Sequence, residues 1–243
     1  MLIMSKKLKI FLGISYLLIL SIFLYFIFLQ IELDRLNDFV YYKELQANLE
    51  SFIGDNLYIN LLLFFSFCVV WVSLLGFGSP LLIISGILFG KWTGTFISVL
   101  SISVGALILY SIANFFFKDL IKKLLEKKFS KYLTLFNKNG FYYFFIFRFI
   151  GGLGTPFPLQ NTLPVIFNMK KIDYFFASAL GFVPSFFIWN TIGSGINKFI
   201  KESENFSFVN LMLSRDIYLP ILVFVILILI SLIIKKNFFN VAN

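Results

Sequence analysis

The chain has 243 residues, 59% of them hydrophobic and 14% charged, with a mean hydropathy of +0.91 and a net charge of +9. A soluble domain carries about 25% charged residues, so the composition excludes a soluble globular protein and implies several membrane spans. The single cysteine, Cys68, excludes an internal disulfide or a multi-cysteine metal site, and the absence of histidine removes the commonest metal ligand. No cofactor or metal is expected.

The first residues carry Lys6, Lys7 and Lys9, and residues 10–29 are twenty uncharged residues, about the length of one membrane crossing. This run is too long for the apolar part of a signal peptide, and no small-x-small cleavage site follows it, so a retained anchor is expected. Residues 30–56 are acidic and read as a short extramembrane helix or loop. Residues 57–77 form the second apolar run. Pro80 then opens SPLLIISGILFG, which is too short to cross, before Lys91, Trp92 and a long run from about 93 to 117. Gly86, Gly90 and Gly94 recur every four residues with Ser98, a stripe that lets membrane helices pack closely.

Residues 118–138 hold seven lysines against Asp119 and Glu126, a net of +5. Leu120, Ile121, Leu124, Leu125 and Phe129 fall between them at helical spacing, the pattern of a basic amphipathic helix on a membrane surface. The short apolar FYYFFIFRFI (141–150) leads into RFIGGLGTPFPLQNTLP (148–164), which holds Gly151, Gly152 and Gly154 and three prolines. A chain that turns inside hydrocarbon frees backbone groups that lipid cannot satisfy, so such a turn must be buried or line a wet cavity. Gly151, Gly152 and Gly154 supply the turn, and Pro156 and Pro158 impose extended geometry. A proline-kinked ordinary helix is the competing reading, but 141–150 is only about half a span.

Arg148 at this depth is costly, ~2.5 kcal/mol or more on insertion scales. Facing a cavity, it would pair with freed carbonyls or with an anionic group. Gln160 and Asn161 either satisfy the opened backbone or line a path. Residues 173–196, containing Gly181 and Pro184, form a further span; another runs from about 217 to 234, followed by Lys235 and Lys236.

Two short, broken apolar segments, each followed by a long helix, are the sequence pointer to a transporter-like site. The expected fold is an all-α polytopic membrane protein. It has two re-entrant helical hairpins, about 79–92 and 141–168, in an inverted repeat with four to five transmembrane helices. Three parts follow: 1–78, 79–196 and 197–243. By the positive-inside rule 118–138, Lys170–Lys171 and the C-terminus face the cytoplasm. The N-terminal lysines face it too if 79–92 counts as a crossing; if that segment dips and returns, the N-terminus lies outside. Both arrangements stand.

Residues 79–196 resemble the SNARE-associated Golgi protein family, the VTT-domain branch of the DedA superfamily. The resemblance is carried by Pro80…Gly86-Ile-Leu-Phe89-Gly90…Gly94…Gly105, then by Arg148-Phe149…Pro156-Phe157…Gln160-Asn161…Phe175…Gly181…Pro184…Gly193. It implies two inverted re-entrant hairpins and movement of phospholipids or polyprenyl-phosphate carriers between leaflets of the inner membrane. Arg148 would meet a phosphate headgroup, with Pro156, Phe157 and Asn161 shaping the hairpin tip. The pattern departs from the family's in its longer, glycine-rich spacing from Arg148 to Pro156 and in lacking a second arginine. No Asp or Glu lies inside an expected span, which favours a scramblase-like or uncharacterised branch over a proton-driven exporter.

A lipid-modifying enzyme is disfavoured, because no histidine, paired carboxylates or metal set is present to catalyse with. A membrane scaffold is the alternative function. The expected partners are membrane lipids with anionic headgroups; nucleic acid is not expected, and a homo-oligomer is compatible with the sequence.

Overall fold

A computed structural model describes residues 39–75, 78–124, 133, 136, 138–205 and 207–239, together with Ser15, Leu18, Ser21, Ile22 and Tyr25. The chain divides into two units, residues 1–42 and 43–243. The anchor expected over 10–29 falls mostly outside the described residues, as does most of the basic helix expected over 118–138, of which 118–124 are helical.

The described elements are α1 (Phe39–Asp55), α2 (Leu57–Leu75), α3 (Ser79–Phe116), α4 (Gly140–Phe149), α5 (Phe157–Thr162), α6 (Lys171–Glu202), α7 (Phe208–Leu213) and α8 (Arg215–Phe239). Short 3-10 turns occupy Gly151–Gly154 and Leu163–Val165. No strand occurs among the described residues. Leu57–Leu74, Ser79–Phe116 and Lys171–Glu202 are long and apolar enough to cross a membrane. Leu62, Val70, Phe96, Phe176 and Leu180 stand exposed along them, an apolar surface of a kind that soluble monomers do not carry. This is a membrane protein.

Helix α3 is two limbs, not one rod. Gly90 has φ 72° and ψ 177°, a conformation essentially reserved for glycine. Ser85 Oγ donates to the Gly94 carbonyl at 2.9 Å, and Ser98 Oγ donates to Ser85 Oγ at 2.9 Å. In a straight helix, at 1.5 Å per residue, these pairs would stand about 13 and 19 Å apart. The limbs 79–89 and 91–116 therefore fold back on each other. The break expected within 79–92 lies at Gly90 alone. Pro80 sits in the first turn of the helix, where its missing N–H leaves no bond unmade, and Gly86 is helical.

Helix α2 runs alongside the second limb. Phe64 meets Phe89 edge-on at 5.3 Å, and Ser73 Oγ donates to the Gly105 carbonyl at 3.3 Å. The limb 79–89 thus runs back against α2.

The second half repeats this order. Helix α4 starts at Asn139, whose side chain accepts from the Tyr142 N–H at 3.0 Å. Removing this cap, as in Asn139→Ala, is expected to lower stability by about 1 kcal/mol, readable as a small drop in the thermal midpoint of detergent-solubilised protein. α4 runs alongside α6, with Phe144 stacked on Tyr174 at 5.1 Å. After the reversal at 150–156, α5 runs back, setting Phe157 against Phe182 at 5.7 Å. Asn168 has φ 49° just before the long helix, as Gly90 does in the first half.

The two long helices cross antiparallel. Tyr110 stacks on Tyr174 at 4.6 Å and donates to the Met169 carbonyl at 2.5 Å. Toward the other end, Gly86 lies against the backbone of Asn190, and Gly193 against that of Ile83. Small residues permit this approach, as is usual between membrane helices. Helix α6 continues through Pro184 without ending. The helix expected over about 217–234 is the longer α8.

Candidate functional site

Arg148 is 1% exposed and is the sole charged side chain buried among the described residues. It stands in the last turn of α4, where the chain is about to reverse. Because the reversal brings α5 back beside α4, residues twelve and thirteen positions further on reach it. Nη1 donates to Gln160 Oε1 at 3.2 Å; Nη2 donates to Asn161 Oδ1 at 2.6 Å and to the Tyr174 hydroxyl at 2.9 Å. Nε is buried with no partner.

The rings of Phe182 and Phe144 lie 4.7 and 4.8 Å from the guanidinium carbon, those of Phe157 and Tyr174 at 5.5 and 5.7 Å. Each such contact contributes ~0.5–2 kcal/mol, and each hydrogen bond to a charged group ~1.5–3 kcal/mol. These set the guanidinium in place against a desolvation cost of several kcal/mol. All three hydrogen-bond partners are neutral. No Asp or Glu is buried among the described residues, so the charge has dipoles around it and no counter-charge.

The orientation of Gln160 is fixed by its other end. Its Nε2 donates to the Thr155 carbonyl at 2.7 Å and to the Gly151 carbonyl at 3.4 Å. These carbonyls are freed by the reversal, so the amide that satisfies the opened backbone also turns its oxygen to Arg148. Gly152 makes this possible: its φ is +70° and an added Cβ would collide with the Gln160 amide. Gly151 is likewise left-handed, at φ +70°; Gly154 ends the 3-10 turn. Gly181 lets α4 lie directly on α6, where an added Cβ would be 2.5 Å from Arg148 Cβ. Gly94 faces Asn190 Oδ1 at the same kind of distance, 2.5 Å from an added Cβ.

Two expectations are corrected. Pro156 is extended, with ψ 141°, but Pro158 lies in the first turn of α5, where a proline is pre-organised for a helix. Arg148 pairs with side-chain oxygens rather than with freed carbonyls; those are taken up by Gln160. Tyr174 completes the site without belonging to any motif. Its signal was its place three and seven residues before Ala177 and Gly181, the small residues that mark the inward face of α6.

A cavity of about 320 Å³ has Arg148 in its lining. Both reversals reach it: Gly78 and Ser79 from the first, Gly151, Thr155 and Phe157 from the second. Arg148 and Gln160 give it a polar side, and Trp189 and Phe224 an aromatic one. Such a space can hold a small anionic group against the guanidinium and an apolar group against the rings.

Residues 76–195 match the family model of the VTT domain. The match covers both reversals, the crossing helices and all but one of the residues that line the cavity. No solved structure matches the chain.

Proposed function

Since the chain belongs to the VTT-domain family, that of the SNARE-associated and DedA proteins, we propose that it moves a lipid with an anionic phosphate headgroup, a phospholipid or a polyprenyl phosphate, between the leaflets of a cell's inner membrane. In this reading the two reversals are re-entrant hairpins of an inverted repeat, their tips meeting near the bilayer midplane. Freed backbone is tolerated there because it lines a cavity.

One observation carries the reading: a guanidinium buried without a counter-charge in the wall of a cavity. A permanent cation in a low-dielectric site favours an anion beside it. A scaffold gains nothing from that arrangement.

The lysines fit the same picture. Lys118, Lys122, Lys123, Lys170 and Lys171 belong to the end of the long helices marked by Tyr110 and Met169. At the opposite end two lysines are paired: Lys198 with Asp216 at 2.8 Å and Lys201 with Glu50 at 3.1 Å. On the positive-inside rule the first end is cytoplasmic.

The test is transfer of fluorescent lipid in proteoliposomes, read as bleaching by an impermeant reductant, with phosphatidylglycerol and a polyprenyl phosphate as separate arms. Wild-type protein is expected to expose the inner-leaflet pool in at least one arm, and Arg148→Gln to leave it protected. An inner pool that stays protected with wild-type protein in both arms overturns the proposal.

A further inference from the structure

The cavity has one wall from outside the VTT domain. Phe224 of α8 closes it on one side, its ring edge-on to Trp189 at 5.4 Å. Helix α8 meets the rest of the protein along a narrow stripe. Between 217 and 230 only Ile217, Pro220, Phe224 and Leu227 are not exposed, a spacing of three, four and three that makes a single seam. The residues between them are apolar and exposed, as for a helix with lipid on its remaining sides.

This seam is fastened unevenly. Its first turn is pinned: Ile217 is 1% exposed, Lys198 Nζ donates to Asp216 Oδ2 at 2.8 Å, and a Cβ on Gly195 would come within 2.7 Å of the Asp216 carbonyl. Pro220 follows. It has no N–H for the carbonyl of Asp216, and its ring crowds that group, so the helix bends most easily there. Phe224 is one turn beyond the bend.

We propose that α8 beyond Pro220 is a hinged lateral gate. Swinging Phe224 away from Trp189 opens the cavity sideways to the hydrocarbon. A headgroup then reaches Arg148 while its acyl chains remain in the bilayer, which makes the occupant a membrane lipid rather than a water-soluble anion. This rests on the translocation reading above, and it specifies how the substrate enters.

The experiment places one cysteine in the cavity, Ser185→Cys in a Cys68→Ala background, in proteoliposomes. The probes are a phospholipid bearing a maleimide on its headgroup and a charged, water-soluble maleimide. The lipid probe is expected to modify the cysteine. Phe224→Ala is expected to speed the reaction severalfold and Pro220→Ala to slow it severalfold, whereas Val223→Ala, on the exposed side, leaves it unchanged. Rates that ignore both gate changes, or modification by the water-soluble probe alone, overturn the gate. Labelling needs no completed crossing, so the two ideas separate. Lipid transfer with gate-insensitive labelling overturns the gate only; gate-sensitive labelling without transfer overturns translocation only.

Discussion

Gly86→Ala is expected to lower stability by about 3 kcal/mol or more, the upper end of over-packing costs, and to cut the yield of monodisperse protein sharply. The reason is what the new methyl group meets. It would overlap the Asn190 carbonyl oxygen and lie 2.8 Å from the carbonyl carbon and Cα of the same residue. Across the same contact, a Cβ on Gly193 would be 3.0 Å from Gly86 Cα. These are backbone atoms of α6, so no rotamer change relieves the clash and the two halves have to part. Gly140→Ala, with nothing within 4 Å of the added atom, is expected to change little. Gly90→Ala meets no neighbour either but forces an L-residue to φ +72°, at a strain of about 1–3 kcal/mol. Thermal unfolding in one detergent reads all three. A Gly86→Ala midpoint equal to that of Gly140→Ala would mean the halves are not in backbone contact.

The second large effect concerns Asn161. Asn161→Leu removes the acceptor 2.6 Å from Arg148 Nη2. It is expected to cost ~2–3 kcal/mol, the loss of a hydrogen bond to a charged group plus an orphaned donor. Made in an Arg148→Met background, the same change orphans no charge. The two substitutions should then be non-additive by on the order of 1–2 kcal/mol. Tyr174→Phe gives a milder version, because the ring keeps its stack on Tyr110 at 4.6 Å and only the hydroxyl is lost. Additivity within ~0.5 kcal/mol would show that Asn161 and Arg148 act independently.

Much of this architecture could be read from residue types. Lengths and hydropathy outlined the long helices to within a few residues. The glycines and prolines of 148–164 announced a reversal, because no continuous helix accommodates them. Arg148 announced a polar centre, because lipid does not tolerate one.

Other features were illegible for physical reasons. The limb 79–89 already runs antiparallel to α2 ahead of the break at Gly90. Pro80 resembles a breaker in sequence, but in the first turn of a helix it breaks nothing. Pro158 misled in the same way. The partners of Arg148 depend on how the chain folds back, and a phenylalanine-rich helix gives no composition signal that separates Tyr174 from its lipid-facing neighbours. Phe224 was harder still, since its role comes from a helix with no special residue except Pro220.

The order of the chain has a consequence for how the protein is made. The hydrogen-bond partners of Arg148 lie twelve, thirteen and twenty-six residues downstream of it. When α4 emerges from the ribosome, none of them has yet emerged. A ten-residue helix ending in an unpaired guanidinium is costly to bury in hydrocarbon at that moment. Only when the first turns of α6 have emerged, bringing Tyr174 and the bare backbone at Gly181, is the set of partners complete. The site is thus assembled from its last part backward, and a stop shortly before Tyr174 would leave a chain whose Arg148 was never buried.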